Sequence, residues 1–162
     1  MIVKEIRDED FTSYKKPSMV IGFPSCTFKC CKEGNLPIEV CQNCELVKAN
    51  DIDVSSDFLI ERYINNPITQ AIVCGGMEPL DSWEDLQDFV VKFRHKCNDE
   101  IIIYTGYNKD EIQNKIGWLK KFSNIIIKYG RYLPNNIPHY DEMLGVYLAS
   151  PNQMAEKIDS IK

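Results

Sequence analysis

Short runs of apolar residues recur along most of the chain and are separated by longer amphipathic segments. The apolar runs predict buried strands at 16–24, 69–74, 100–105, 124–129 and 144–149. Between them, apolar positions at helical spacing predict helices at 53–65, 82–96 and 109–119. Several runs end at glycine or proline, the residues that most often interrupt regular structure. The pattern therefore favours an alternation of strands and helices.

Residues suited to capping mark where some of these helices begin. The segment Ser55-Ser56-Asp57 is a start signal for the helix at 53–65. Ser82 can cap the helix at 82–96, because a serine side chain accepts a hydrogen bond from a free backbone amide of the first turn. Ser150 followed by Pro151 predicts a further, closing helix, since proline is favoured in a first turn.

Apolar strands alternating with helices are typical of an α/β fold with a mainly parallel sheet and covering helices. The length of 162 residues suits a single domain spanning 1–162. In such sheets, ligands bind at the carboxyl ends of the strands. Three unusual segments follow strands here, namely a cysteine-rich loop at about 25–50, Gly-Gly-Met-Glu-Pro at 75–79 and Tyr-Thr-Gly at 104–106. We expect them to converge on one edge.

Composition narrows the class of protein. The chain is 44% hydrophobic and 27% charged, with a net charge of -5, which indicates a folded protein and argues against nucleic acid as a partner. No run of eighteen apolar residues is present, and the first residues lack the order of a signal peptide. We therefore expect a cytoplasmic protein with no membrane segment, in a compartment where thiols stay reduced.

The cysteines are the main candidates for chemistry. Five of the seven cysteines lie between 26 and 44, and clustered thiolates select iron–sulfur clusters or zinc. By spacing alone, a zinc site built from Cys26, Cys30, Cys41 and Cys44 is one solution, and a cluster is another. Cys31 is adjacent to Cys30, so both cannot easily face one metal centre. The remaining two, Cys74 and Cys97, fit ordinary packing positions.

The order of these motifs resembles the radical S-adenosylmethionine enzymes. The shared order is a strand, Cys-x-x-x-Cys, a later Cys followed by Gln-Asn, then Gly-Gly-x-Glu-Pro and Tyr-Thr-Gly-Tyr after two further strands. The chain is most similar to the small proteins that activate the anaerobic ribonucleotide reductase, over roughly residues 17 to 155. That resemblance implies a partial (β/α) barrel.

The resemblance implies a 4Fe-4S cluster held by three cysteines, with one iron left open for S-adenosylmethionine. The family's usual spacing would place the third cysteine at position 33, which is Glu33. We interpret residues 31–40 as a lengthened loop that brings Cys41 to the third position. The predicted ligands are thus Cys26, Cys30 and Cys41, and the alternates for the third are Cys31 and Cys44.

The resemblance also implies residues that contact S-adenosylmethionine. By position, the methionine amino group is contacted by Gly75, Gly76 and Glu78, and the adenine by Val40. The nucleoside is contacted by Tyr104 and Thr105, for which strand packing is an equally good explanation. For Glu78, the alternative is a charge at the entry of the following helix.

The implied activity is generation of a glycyl radical on the large component of the anaerobic ribonucleotide reductase, by a 5′-deoxyadenosyl radical. An electron donor such as a flavodoxin or ferredoxin is also implied. One alternative is a related enzyme acting on another protein or a small molecule, and another is a non-catalytic zinc-binding module. We expect Lys128 and Arg131 to face a partner or the solvent, and His139 to be a hydrogen-bonded loop histidine.

Overall fold

The computed structural model describes residues 1–158, and within them strands and helices alternate as expected. The strands are β1 (Ile2–Val3), β2 (Glu5–Asp10), β3 (Ser18–Phe23), β4 (Ile52–Asp53), β5 (Ala71–Gly76), β6 (Glu100–Tyr104), β7 (Ile125–Tyr129), β8 (His139–Asp141), β9 (Val146–Leu148) and β10 (Met154–Ile158). The α-helices are α1 (Lys29–Gly34), α2 (Cys44–Lys48), α3 (Ser56–Ile64), α4 (Trp83–Lys96) and α5 (Gln113–Leu119). Short 3-10 helices lie at Ile38–Val40, Pro79–Asp81 and Lys109–Ile112.

Six strands form the central sheet, in the order β10-β7-β6-β5-β3-β2. The four inner strands β3, β5, β6 and β7 are parallel, and the edge strands β2 and β10 run antiparallel to their neighbours. The prediction of a mainly parallel α/β sheet is confirmed. The sheet stays open, because β2 and β10 do not pair with each other within residues 1–158.

The longer helices α3, α4 and α5 pack on one face of the sheet. Side chains alternate between the two faces along a strand, so Ile101 and Ile103 contact these helices while Ile102 points the other way. Phe89 and Phe93 of α4 are fully buried against this face. Parallel strands joined by helices on one side carry their carboxyl ends to a common edge.

The opposite face is covered only in part. Tyr14, Leu144 and Leu148 pack there against inner-strand residues such as Ile102 and Ile126. Leu148 belongs to the hairpin formed by β8 and β9, which is separate from the central sheet. Toward the carboxyl ends of the strands, the same face is open and forms a cavity.

The predictions for the last third of the chain were partly wrong. The apolar run at 144–149 contains only the short strand β9, which pairs with β8 rather than with the central sheet. The closing helix expected after Ser150 is absent from the described residues. The chain instead turns at 150–153 and forms β10, which completes the sheet beside β7. The free edge of β7 outweighs local helix preference there.

Of the two serines predicted to cap helices α3 and α4, only one makes a capping hydrogen bond. The Ser55 side chain accepts a hydrogen bond of 3.1 Å from the Phe58 amide, which confirms the start of α3. Ser82 does occupy the position before α4, but its side chain makes no capping hydrogen bond. Within the described part of the chain, no helix has the length and apolar character needed to cross a membrane.

Candidate functional site

A cavity of about 310 Å³ lies at the carboxyl edge of the parallel strands. Its walls come from the cysteine-rich loop after β3, the Gly-Gly-Met-Glu segment after β5 and the Tyr-Thr-Gly segment after β6. The edge strand β2 and the end of β7 complete the walls. The convergence expected from strand order is therefore present in the structure.

The cysteine-rich loop places four of its five thiols on this cavity. These are Cys26, Cys30, Cys31 and Cys41. Cys44 lies outside the cavity wall in α2, where its Sγ atom is 3.9 Å from a carboxylate oxygen of Glu45. The cavity thus contains the three predicted ligands and one of the two alternates.

Cys30 and Cys31 differ in their surroundings although they are adjacent. The Cys30 Sγ atom lies directly over Gly106, where an added Cβ atom would come within 2.8 Å of it. Cys31 is buried, and burial, together with the nearby Cys41 and Cys30 thiols, raises its pKa. Burial also raises the pKa of Cys26 to about 12. Cys26, Cys30 and Cys41 come from different parts of the loop. Such thiols suit a cluster, because the cysteines of a cluster bind different irons.

Position 33, where the usual spacing would place a cysteine, has a structural role instead. Glu33 forms a two-pronged ion pair with Arg131, with distances of 2.8 and 3.1 Å between the guanidinium nitrogens and the carboxylate oxygens. Arg131 also contacts Glu111 and the Gly106 carbonyl oxygen, and Lys29 pairs with Glu111. These contacts fix α1 against the end of β7. The first of the extra residues between Cys30 and Cys41 therefore belong to an anchored helix, α1.

The two glycines after β5 have different roles. Gly75 faces the cavity, where a Cβ atom would meet nothing closer than the Tyr104 Cβ atom at 4.0 Å. Gly76 has a φ of 81°, which side chains rarely tolerate, and a Cβ atom there would lie 2.6 Å from the Gly22 Cα atom. Its carbonyl oxygen accepts a 2.6 Å hydrogen bond from Asn43 Nδ2, which ties the Cys41 segment to this turn.

Glu78 is a buried carboxylate on the cavity wall, with only 5% of its surface exposed. One oxygen accepts from the Leu80 amide at 3.1 Å and the other from the Gly106 amide at 2.9 Å. Burial raises its pKa to about 7, although hydrogen bonds from Gly106, Thr105 and Leu80 oppose the shift. Glu78 therefore caps the 3-10 helix at Pro79–Asp81 and also presents an ionisable group to the cavity.

Of the other residues predicted to contact S-adenosylmethionine, two line the cavity and one does not. Tyr104 and Thr105 line the cavity, and the Tyr104 hydroxyl donates to the Ser13 carbonyl oxygen at 2.6 Å. The Thr105 hydroxyl accepts from the Tyr107 amide at 3.0 Å. Val40 is partly buried beside Cys41 but lies outside the cavity wall.

Three residues were misjudged from the sequence. Lys128 and Arg131 are neither surface residues nor free for a partner, since only 7% and 6% of their surfaces are exposed. His139 begins strand β8 rather than lying in a loop, and its buried Nδ1 atom has no hydrogen-bond partner within residues 1–158. Lys128 is buried because it lies in β7, on the face of the sheet away from the helices, where it lines the cavity.

The edge strand β2 contributes cavity residues that the sequence gave no reason to select. Glu5 and Arg7 lie on the cavity wall, opposite Gly22 and Val20 of β3. The Arg7 guanidinium is engaged by Asp10, at 2.7 Å. The cavity is thus bounded by charged side chains on its outer side.

The arrangement of possible metal ligands does not suit a single metal ion. Nowhere in the described chain do three His, Cys, Asp or Glu side chains lie close enough together to hold one metal ion. A zinc site needs four ligands within bonding distance of one atom, whereas cluster cysteines bind separate irons. The structure gives the four-cysteine zinc alternative no support, and the cavity thiols fit a cluster.

Comparison with known families gives an independent result for the same region. The family model described as a 4Fe-4S single cluster domain matches residues 19–139, which is more than half of the chain. The match includes the five loop cysteines and the segments after β5 and β6. Searches of curated proteins and of solved structures found no match. On the extent of the family match, this chain belongs to the 4Fe-4S single cluster domain family.

Proposed function

We propose that the protein is a radical S-adenosylmethionine activase that generates a glycyl radical on a partner protein, the large component of the anaerobic ribonucleotide reductase. One observation carries the proposal: a single cavity joins Cys26, Cys30 and Cys41 to Gly75 and Glu78. A cluster alone would need no buried carboxylate or bare backbone beside it.

Each cavity residue then has a role. Cys26, Cys30 and Cys41 hold the cluster and leave one iron without a protein ligand. Gly75 leaves space for S-adenosylmethionine to approach the backbone, and Glu78 accepts a hydrogen bond from its amino group. When bound, the cluster would supply the electron that cleaves S-adenosylmethionine to methionine and a 5′-deoxyadenosyl group able to remove a hydrogen atom from the target, while the cavity residues hold and orient both cofactors.

The size of the cavity favours a macromolecular target. Its 310 Å³ is near the lower limit for ligand pockets, roughly 300–1,000 Å³, so it has no room for a further substrate beside the two proposed groups. The target residue therefore enters from outside, on a segment of a partner protein. A flavodoxin or ferredoxin would supply the electron.

Anaerobic reconstitution with iron and sulfide tests the proposal. We expect a brown protein with four irons per chain. After reduction it should convert S-adenosylmethionine to methionine and 5′-deoxyadenosine, measured by liquid chromatography. A candidate reductase added to this mixture should give a glycyl radical signal in electron paramagnetic resonance. A colourless protein holding one zinc, or a reduced cluster that leaves S-adenosylmethionine intact, would contradict it.

The ionisation of Glu78 should set how cofactor affinity depends on pH. A neutral carboxyl group is a weaker acceptor than a carboxylate, so affinity rises as the pH increases from 5.5 through the Glu78 pKa of about 7. Glu78→Gln should weaken binding roughly 10- to 150-fold, the equivalent of about 1.5–3 kcal/mol for a hydrogen bond to a charged group. Equilibrium dialysis of the cluster-loaded protein measures both effects.

Glu84→Gln is the matched control, because it removes the same charge from an exposed position in the first turn of α4. It should bind S-adenosylmethionine like the unmodified protein at every pH. Equal affinities for the Glu78→Gln and Glu84→Gln variants would remove Glu78 from the proposed binding site.

A further inference from the structure

Lys128 is a buried cation whose role the proposed cofactor contacts leave unexplained. It lies at the end of β7, and its side chain reaches the cavity on the face away from the helices. Its Nζ atom lies 5.9 Å from the centre of the Tyr104 ring. Only 7% of its surface is exposed, so its charge is screened little by solvent.

No carboxylate pairs directly with Lys128 within residues 1–158. Other basic residues at this edge are engaged, namely Arg7 by Asp10, Arg131 by Glu33 and Lys29 by Glu111. A buried ammonium group without a partner is unfavourable, and burial lowers the pKa of Lys128 to about 8. Such a group is retained where a bound species supplies the missing negative charge.

The negative groups that act on Lys128 identify that species. They are Glu78 and, once it binds iron as a thiolate, Cys30, and both line the cavity together with Lys128. Cys30 belongs to the proposed ligand set. Three thiolates carry three negative charges against the two positive charges of an oxidised 4Fe-4S core, and one-electron reduction adds another negative charge.

We propose that Lys128 supplies a fixed positive charge that acts on the cluster through its ligand Cys30. This charge stabilises the reduced cluster and so raises the reduction potential of the cluster. A fixed positive charge favours the more negative of two redox states, and a low-dielectric cavity strengthens the effect. The inference rests on the proposed ligand Cys30. It does not depend on S-adenosylmethionine cleavage or on the identity of the target.

Potentiometric titration of the reconstituted protein without S-adenosylmethionine tests the inference. Lys128→Met keeps the length of the side chain and removes its charge. We expect the equilibrium constant for one-electron reduction to fall at least tenfold, which corresponds to a potential about 59 mV lower. Lys128→Gln should lower it similarly, and Lys128→Arg, which retains the charge, should stay within twofold of the original.

Lys32→Met is the matched control, because it removes the same charge from an exposed position in α1, next to Cys31. It should change the reduction equilibrium less than twofold. An unchanged potential in a cluster-loaded Lys128→Met or Lys128→Gln variant would overturn the inference. A lowered potential in a protein that fails to cleave S-adenosylmethionine would support it and reject the proposed function instead.

Discussion

Cys41→Ala is expected to abolish the 4Fe-4S cluster, whereas Cys44→Ala is expected to leave it intact. Cys41 lines the same cavity as Cys26 and Cys30, and its segment is tied to the Gly76 carbonyl oxygen through Asn43. Cys44 lies outside that cavity. With two thiolates left, only two of the four irons would remain anchored to the protein. Iron content and visible absorbance after anaerobic reconstitution measure the result.

Cys31→Ala separates the remaining alternative. Cys31 also lines the cavity, but it is buried and follows Cys30 directly, so we expect its variant to retain four irons. A full cluster in the Cys41→Ala protein together with none in the Cys31→Ala protein would reverse the assignment of the third ligand.

Gly76→Ala is expected to destabilise the fold by about 3 kcal/mol or more. A φ of 81° is strained for alanine, and the new Cβ atom would lie 2.6 Å from the Gly22 Cα atom in the backbone of β3. Because both partners belong to the parallel sheet, neither can move away without loss of pairing. Urea unfolding of the iron-free protein measures the change, which is a large part of the typical stability of a domain.

Two other glycines provide the comparison. Gly117→Ala, in α5, meets no atom within 4 Å and should stabilise the protein by roughly 0.5–1 kcal/mol. Gly75→Ala should leave the stability nearly unchanged but reduce affinity for S-adenosylmethionine, since its methyl group enters the cavity. Equal stability of the Gly75→Ala and Gly76→Ala proteins would contradict the roles assigned to this turn.

The inner strands were predictable because burial on both faces leaves a simple apolar signal. Ile101, Ile102 and Ile103 are all fully buried, and so are the corresponding residues of β5. The edge strands have no such signal. β2 has the sequence Glu-Ile-Arg-Asp-Glu-Asp, whose charges suit a sheet edge but resemble a loop. β10 contains good helix formers and becomes a strand only because β7 offers a free edge.

The candidate site was predictable where chain order alone decides the geometry. Parallel strands place the cysteine-rich loop, Gly75 and Glu78 on one edge, and short motifs mark them. The environments of Lys128 and Arg131 were not predictable, because a positive residue near a strand end is usually solvated. Their burial depends on Glu33 and on the cavity wall, which are distant in sequence.

The ion pairs among Arg131, Glu33, Glu111 and Lys29 hold α1 in place without help from metal. In small zinc domains, by contrast, metal binding supplies the folding energy. We therefore expect that oxygen damage to the cluster releases iron from a protein that stays folded, which circular dichroism of the iron-free form would show as unchanged helix and strand content. The folded protein would then accept a new cluster when iron and sulfide are supplied again under reducing conditions.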